Sequence, residues 1–399
     1  MNPRAALRVG AVLIIAVVSF AVGVYVDQQF PGYIPYVAPH SVGRVDTTEL
    51  QQAIQIIQAD YVDGNLDASK LSHGTVQGLI ASLADPFSAY YDPAAFKRLQ
   101  DSYKGQYSGI GIYLTFGTGY PSITGTVPGS PAAAAGLQSG DQIMKVGDKD
   151  MKGITSDQAT TLIQGPNGSK VTLTIGRGVE TLIFTITRAE IHVPSVRSAL
   201  ISNNILYVRI YNFGASTSTE FASALTGGLS GAKGIVLDLR GNPGGFTSAA
   251  EDVISQFVTS GETYELRDRS GTVDKHQVGG QHLVPTLPLV VIADANSASA
   301  SEIVAGSLQV HRRAKLVGTV TYGKGSVQQD FPLNDGADIH LTIRRWYLPN
   351  GVTIDKKGLQ PDVTVTLANA TDEFDVTQLS AGFAKDTQLN AALGILATP

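Results

Sequence analysis

The apolar pattern of the chain changes its period several times, and each change predicts a different kind of element. Residues 9–26 carry no charge, with Arg4 and Arg8 before them and Asp27 after them. A helix of that length spans about 27 Å, close to a bilayer core of about 30 Å. The positive flank puts the N-terminus inside and the remainder across the membrane. Ser19 and Ala21 offer small residues for signal-peptide cleavage. The apolar run continues past them to Val26, so residues 1–30 are expected to be a retained anchor rather than a cleaved signal. After the Pro-rich linker "PGYIPYVAPH" the period turns helical. Over 47–61, Leu50, Ile54, Ile57 and Tyr61 recur at spacings of three and four, with Thr47 or Thr48 in place to cap. A second helix is predicted over 69–83 and is ended by the prolines of "ADPFSAYYDP". Residues 31–102 thus read as a linker and a helical arm, suited to packing or to pairing two copies of the chain.

From about Tyr103 the texture becomes short strands and glycines. "YSGIGIYL" enters a strand. A short helix near 156–163 precedes two further strands, "KVTLTIGR" and "TLIFTITRAE". The stretch "GSPAAAAGLQSGDQIMKVGD" resembles PDZ domains, with a helical turn after Pro131 and the following strand in the same order. The resemblance covers residues 103–188. It implies a β-rich α+β domain in which a loop of backbone N–H groups caps a peptide's terminal carboxylate while the peptide adds as a strand. Glycines permit such a concavity. The matching loop is Ser108, Gly109, Ile110, Gly111 and Ile112. By itself "GIG" would mark no more than a bulge or turn.

Residues 189–368 alternate strands with helices. "KGIVLDLRGNPGGFTSAAEDVISQFV" reads strand, Gly-rich turn, helix, and "LPLVVIADANSASASEIVAGSLQVH" repeats the plan with a strand over 289–293. Such repeats predict an α/β layer that holds its ligands outside the strand ends. The turns at 241–245 and 296–301 are then the candidate site walls. Residues 369–399 follow as a C-terminal helical tail.

Charge and composition narrow the chemistry. A net charge of −5 provides no basic footprint, so nucleic acid is not an expected partner. The chain has no cysteine, which excludes disulfides, a thiol nucleophile and Cys-ligated metal. Neither G-x-S-x-G nor H-E-x-x-H occurs, so neither an α/β-hydrolase nor a zinc protease is expected, and no metal or other cofactor is implied.

Two local features remain. In "NSASASEIVAG" three serines alternate with alanines ahead of a helix. Ser299 with Glu302 forms S-x-x-E, a capping box, and Ser297 and Ser301 fit as small residues that let a turn pack closely. One of the three is equally a candidate nucleophile. None of the seven histidines has a recognisable catalytic setting. One lysine does have an unusual one: Lys324 lies between glycines in "TYGKGSVQQ", where alternation puts Lys324, Ser326 and Gln328 on one face of a strand. A free lysine has a pKa of about 10.4, so parity with its neutral form at pH 7 costs about 4.6 kcal/mol, which burial can supply.

The order of these motifs resembles the carboxy-terminal processing, or tail-specific, serine protease family: a membrane-targeting segment, an arm with "DPFSAYYDP", a PDZ domain, "SASASEIVAGSLQ", "TYGKGSVQ" and "GLQPDVTV". The resemblance covers nearly the whole chain. It implies a multi-domain α/β protein whose catalytic core has crotonase-like character and uses a Ser–Lys dyad helped by a Gln. Carried over, the nucleophile falls on Ser299, the base on Lys324 and the helper on Gln328. Ala300 N–H is then one oxyanion donor, and the other comes from the "NPGG" turn, Gly245 in preference to Gly244. Implied partners are proteins or peptides with free C-termini, and the implied place is the extracytoplasmic face of the inner membrane. One departure stands out: relatives often carry arginine where this chain has Gln164, so any coupling of peptide binding to activation runs differently here, with Arg177 as an alternative. An inactive peptide-binding scaffold and a small-ligand carrier are the competing readings. The intact Ser299, Lys324 and Gln328 speak against the first, and the PDZ domain against the second.

Overall fold

The computed structural model describes residues 45–127, 129–374, 376, 379 and 382–397. The expected anchor over 9–26 lies outside the described residues, and no helix among these is long and apolar enough to cross a membrane. The chain divides into two compact units after Ala68. In the first, helix α1 (Thr48–Asp60) forms where the three-four spacing predicts it. Thr47 makes no side-chain cap; instead the Asp46 carboxylate accepts the Thr48 N–H at 2.9 Å. No residue of α1 is buried, and Leu50 and Ile57 of its apolar stripe are exposed.

Helix α2 (Ala68–Ala81) opens the second unit and is followed by strand β1 (Ala89–Tyr91) and helix α3 (Pro93–Tyr103). The second proline of the "DPFSAYYDP" segment therefore starts a helix rather than only ending one. It occupies the first helical position, where its missing N–H costs nothing, and Asp92 accepts the Ala95 N–H at 2.7 Å. The next stretch forms β2 (Gln106–Gly109), β3 (Ile112–Thr115), β4 (Ser122–Thr126), α4 (Pro131–Ala135), β5 (Gln142–Val146), β6 (Lys149–Asp150), α5 (Ser156–Ile163), β7 (Lys170–Arg177), β8 (Glu180–Thr187) and β9 (Ala189–His192). Strands β3-β4-β5-β7-β8 make one sheet, with β6 beside β5, and β2 pairs with β9. Ile110, Ile123, Ile143, Met151, Leu173 and Ile175 fill this domain's own core. Strand β3 is an edge of its sheet.

The C-terminal half forms β10 (Val196–Ile201), β11 (Ile205–Ile210), α6 (Thr217–Gly228), β12 (Gly234–Asp238), α7 (Thr247–Ser255), β13 (Glu262–Asp268), β14 (Val273–Gln277), β15 (Leu289–Ala293), α8 (Ala300–Val310), β16 (Lys315–Gly318), β17 (Ser326–Pro332), β18 (Asp338–Tyr347), β19 (Val363–Thr364) and α9 (Thr387–Ala397). The central sheet runs β10-β11-β12-β15-β16-β19, parallel except at β10. Its inner strands read as unbroken apolar runs because both faces are covered. Ile235, Leu237, Leu289 and Val291 pack against Leu225 of α6, Val253 of α7 and Ile303 of α8. Val236, Val290 and Ile292 point the other way and meet Phe374, Val376, Leu389 and Ala392. The tail thus completes a three-layer core. A second sheet, β1-β18-β13-β14 with β17 on β18, includes the strand at the end of the arm, since β1 pairs with the start of β18.

A buried ionic knot fastens the tail to the end of β12. Arg240, fully buried, donates through Nη2 to Asp238 at 2.5 Å and lies 2.9 Å from Asp386, while Tyr207 donates its hydroxyl to Asp238 at 2.6 Å. Burial alone would raise the Asp238 carboxyl, but the Arg240 guanidinium outweighs it and holds that pKa below the ordinary value. The knot sits immediately before the "GNPGG" turn. Replacing Arg240 with Ala would leave two carboxylates buried without their cation. It is expected to cost about 3–5 kcal/mol, read as a lower denaturant midpoint.

Candidate active site

The turns after β12 and β15 meet at the carboxyl ends of the parallel strands, and the three serines divide by what their hydroxyls hold. Ser297 Oγ donates to the Leu239 carbonyl at 2.8 Å and accepts the Asp294 N–H at 2.9 Å. Ser301 Oγ donates to the Asn242 carbonyl at 2.9 Å. Both are fully buried and stitch one turn to the other. Ser299 is different. It has φ +55° and ψ −117°, a strained conformation for a residue with a side chain, and its hydroxyl makes no capping hydrogen bond. Glu302, three residues on, accepts the Ser299 N–H at 2.9 Å.

Glu302 does more than cap. Its Oε1 accepts from Thr321 Oγ1 at 2.5 Å and from the Gly323 N–H at 2.7 Å; its Oε2 accepts from the Lys324 N–H at 2.9 Å as well as from Ser299. Burial pushes its pKa up, and the four donors pull against that. All four point at the carboxylate as an acceptor, which is the role of the ionised form. One buried side chain therefore holds the backbone of Ser299 and of Lys324 in a common frame.

The lysine's peptide is pinned on its other side by Trp346, the single tryptophan, whose indole N–H donates to the Lys324 carbonyl at 2.8 Å. The flanking glycines are sterically required. A Cβ on Gly323, which has φ +86°, would lie 2.8 Å from Gly358 N, and one on Gly325 would lie 2.6 Å from Asp355 Cβ. Burial lowers the Lys324 pKa, and the charges of Asp85 and Glu302 oppose it. The Lys324 Nζ lies 5.1 Å from the centroid of the Phe87 ring. Gln328 is engaged elsewhere: its Nε2 donates to Ser326 Oγ at 2.9 Å and to Thr342 Oγ1 at 3.0 Å. Strand β17 begins only at Ser326 and carries a register shift between Val327 and Gln328, so simple alternation from Lys324 does not describe it.

Opposite Ser299 lies the Gly-rich turn. Asn242 anchors it, donating Nδ2 to the Ile210 carbonyl at 2.8 Å and accepting the Gly244 N–H at 2.9 Å. A Cβ on Gly244 would stand 2.8 Å from both the Ala298 oxygen and Ser299 Cβ, so only glycine fits against the serine. The Gly244 N–H is already used. Those of Gly245 and Ala300 donate to no partner among the described residues. Each described histidine bonds outside this cluster, to Asp335, Glu220, Glu251, the Ser255 carbonyl, the Glu262 carbonyl or Asp330.

In the middle domain, the loop Ser108–Ile112 joins β2 to β3. Its carbonyls are committed inward: Ile110 accepts the Ala132 N–H at 2.8 Å, and Gly111 accepts the Val127 N–H at 3.0 Å and Ser130 Oγ at 3.1 Å. Gly111 has φ +79°, and a Cβ there would fall 2.3 Å from Ser130 Cβ. Gln164 packs beside Gly109. Arg177 is held by Asp141, with Nε at 2.6 Å, and by the Gly136 carbonyl. The S-x-x-E spacing presents Glu302 only as a cap, and no spacing in the sequence gives Asn242, Trp346, Asp85 or Phe87 an individual role. The available signals are the S-x-x-E spacing for Glu302, the "NPGG" turn for Asn242 and the "DPFSAYYDP" motif for Asp85 and Phe87, and none of them specifies the contacts found here.

Glu302→Ala would strand four buried donors. It is expected to destabilise by more than about 3 kcal/mol and to lower peptide cleavage further than the stability loss explains. Ser297→Ala and Ser301→Ala should each cost about 1–2 kcal/mol in denaturant midpoint while retaining cleavage.

Known proteins carry the same parts in the same order. Residues 204–365 match the model of peptidase family S41, residues 100–176 that of the PDZ domain, and residues 38–95 that of the activating protease CtpB N-terminal domain. The chain is 35% identical over 324 residues to carboxy-terminal processing protease CtpB of Bacillus subtilis, covering 79% of this chain and 67% of that protein. It is 37% identical over 321 residues to the carboxy-terminal-processing protease of Bartonella bacilliformis, covering 78% and 74%. Among solved structures, the photosystem II D1 C-terminal processing protease superposes with a TM-score of 0.50 at 27% identity, covering 80% of this chain and 87% of that one. The chain belongs to the carboxy-terminal processing proteases of peptidase family S41, serine-type peptidases with a PDZ domain.

Proposed function

We propose that this protein trims exported proteins near their C-termini with a Ser–Lys dyad, and that its PDZ domain receives the substrate tail. The observation that carries the reading is the Glu302 carboxylate, which holds a strained serine and a half-buried lysine through their own N–H groups. Ser299 Oγ attacks the scissile carbonyl and gives its proton to Lys324 Nζ. The oxyanion that forms accepts hydrogen bonds from Ala300 N–H, at the positive end of α8, and from Gly245 N–H. Lys324 then returns the proton to the leaving amine, and the same pair activates water to release the acyl group. Both N–H groups of the Gln328 amide are in use, which leaves its oxygen as the acceptor an ammonium needs. Gly244 serves by its smallness.

The substrate tail adds as a strand along β3, its carboxylate at the N–H groups around Ile110 and Gly111. Arg177 is tied to Asp141, so coupling of the tail to the catalytic turns runs through Gln164, which touches the loop. Residues 9–26 anchor the enzyme at the outer face of the inner membrane, and the exposed stripe of α1 pairs two copies.

Ser299→Ala and Lys324→Ala should each lower kcat by about ten-thousandfold with an unchanged melting temperature. Because burial lowers the lysine and only its neutral form is a base, kcat/KM should rise with pH through that ionisation and then level off. Lys324→Arg, charged at every pH, should show no turnover at any of them. A peptide with an amidated C-terminus should lose roughly a hundredfold or more in kcat/KM, since two charge-assisted hydrogen bonds weaken together. Equal values for acid and amide would leave the PDZ loop without its carboxylate.

A further inference from the structure

The arm reaches into the catalytic cluster. Strand β1 is locked in register on β18, Ala89 opposite His340 and Tyr91 opposite Asp338. That pairing fixes the preceding segment, Asp85 to Ser88, beside Lys324. The Phe87 ring centroid is 5.1 Å from Lys324 Nζ, within cation–π range. Asp85 Oδ2 accepts Ser88 Oγ at 2.6 Å, and Asp85 Oδ1 accepts the Phe87 N–H at 3.1 Å. Ser88 Oγ in turn accepts the Thr342 N–H at 3.0 Å, and Thr342 Oγ1 accepts Gln328 Nε2 at 3.0 Å. A continuous line of hydrogen bonds therefore runs from the arm to the glutamine of the site.

We infer that Asp85 and Phe87 of the arm are positioning residues for Lys324, giving its ammonium a defined seat and stabilising the charge that appears on it when it takes the serine proton. The role is that of the third member of a triad, supplied by a segment more than two hundred residues away in sequence. It rests on the reading of Lys324 as the base. The charged groups around the lysine are few. Asp85 and Glu302 act on it directly, and Arg345, paired with Asp355 at 2.7 Å, faces Asp85 from β18. Burial would raise Asp85, but hydrogen bonds from Ser88 and its neighbours hold it below the ordinary carboxylate value, so it stays ionised beside the lysine. Ring and carboxylate both favour the protonated lysine, in opposition to burial.

Removing either group makes the lysine lose its proton at lower pH and become a weaker base. In Phe87→Leu and in Asp85→Asn, the acid limb of the kcat/KM profile should move down by about half a pH unit or more, while the plateau falls. Phe87→Tyr keeps the ring and should restore the wild-type limb. A merely structural role would lower the plateau and leave the limb in place.

Lys324 should also be titrated without reference to activity. In the full-length protein and each variant, competitive labelling by fluorodinitrobenzene across pH, followed by peptide mapping, reports its ionisation. The inference expects Lys324 to be labelled at lower pH in Phe87→Leu and Asp85→Asn, and at the wild-type pH in Phe87→Tyr. Labelling that does not move, or moves upward, overturns it. A labelling curve that moves while the activity limb stays still supports the seat and instead removes Lys324 as the catalytic base.

Discussion

A single carboxylate organises the catalytic region. Glu302 lies in the first turn of α8, fully buried, and receives one hydroxyl and three backbone N–H groups. A buried carboxylate is expensive to leave unpaired and so tolerates few rearrangements of its donors. Two of those donors belong to the residues proposed as nucleophile and base. The mutual placement of Ser299 and Lys324, on segments joined by a helix and a strand, is thereby reduced to the geometry of one side chain. The strained backbone of Ser299 persists because these bonds over-determine it.

Around that centre the chain uses close approach rather than large side chains. Gly244 admits the Gly-rich turn to within contact of Ser299, and Gly323 and Gly325 admit the segment 354–358 against the lysine loop. Ser297 and Ser301 stitch the two turns from behind. The Arg240 knot then ties the base of the same turn to the C-terminal tail, so that the far face of the sheet and the site share one support. The donors left over, Ala300 N–H and Gly245 N–H, are those the chemistry would use.

Much of this was legible in the sequence, and the rest was not for definite reasons. The strands over 289–293 and 170–177 and the helix over 156–163 stand where periodicity predicts them, because their apolar faces are read locally. The choice among three serines was not local. The hydroxyl partners of Ser297 and Ser301 are the carbonyls of Leu239 and Asn242, nearly sixty residues away, and no spacing rule encodes them. For the same reason Glu302 looked like a cap, since three of its four donors lie outside the turn it caps or depend on it. The place of Lys324 at the head of a strand was visible, whereas the bulge in β17 and the turning of Gln328 toward Thr342 were not. The arm's segment 85–88, with its single proline, belongs to a motif of the family resemblance, but no spacing rule assigns it a role, because its place depends on pairing with a strand some 250 residues on.

The most direct measurement is reaction with a peptidyl phosphonate followed by peptide mapping. A single adduct on Ser299 is expected, formed at least about tenfold more slowly in a folded Glu302→Gln variant, in which two of the donors no longer face an acceptor. An adduct on Ser297 or Ser301, or a labelling rate indifferent to residue 302, would contradict the account.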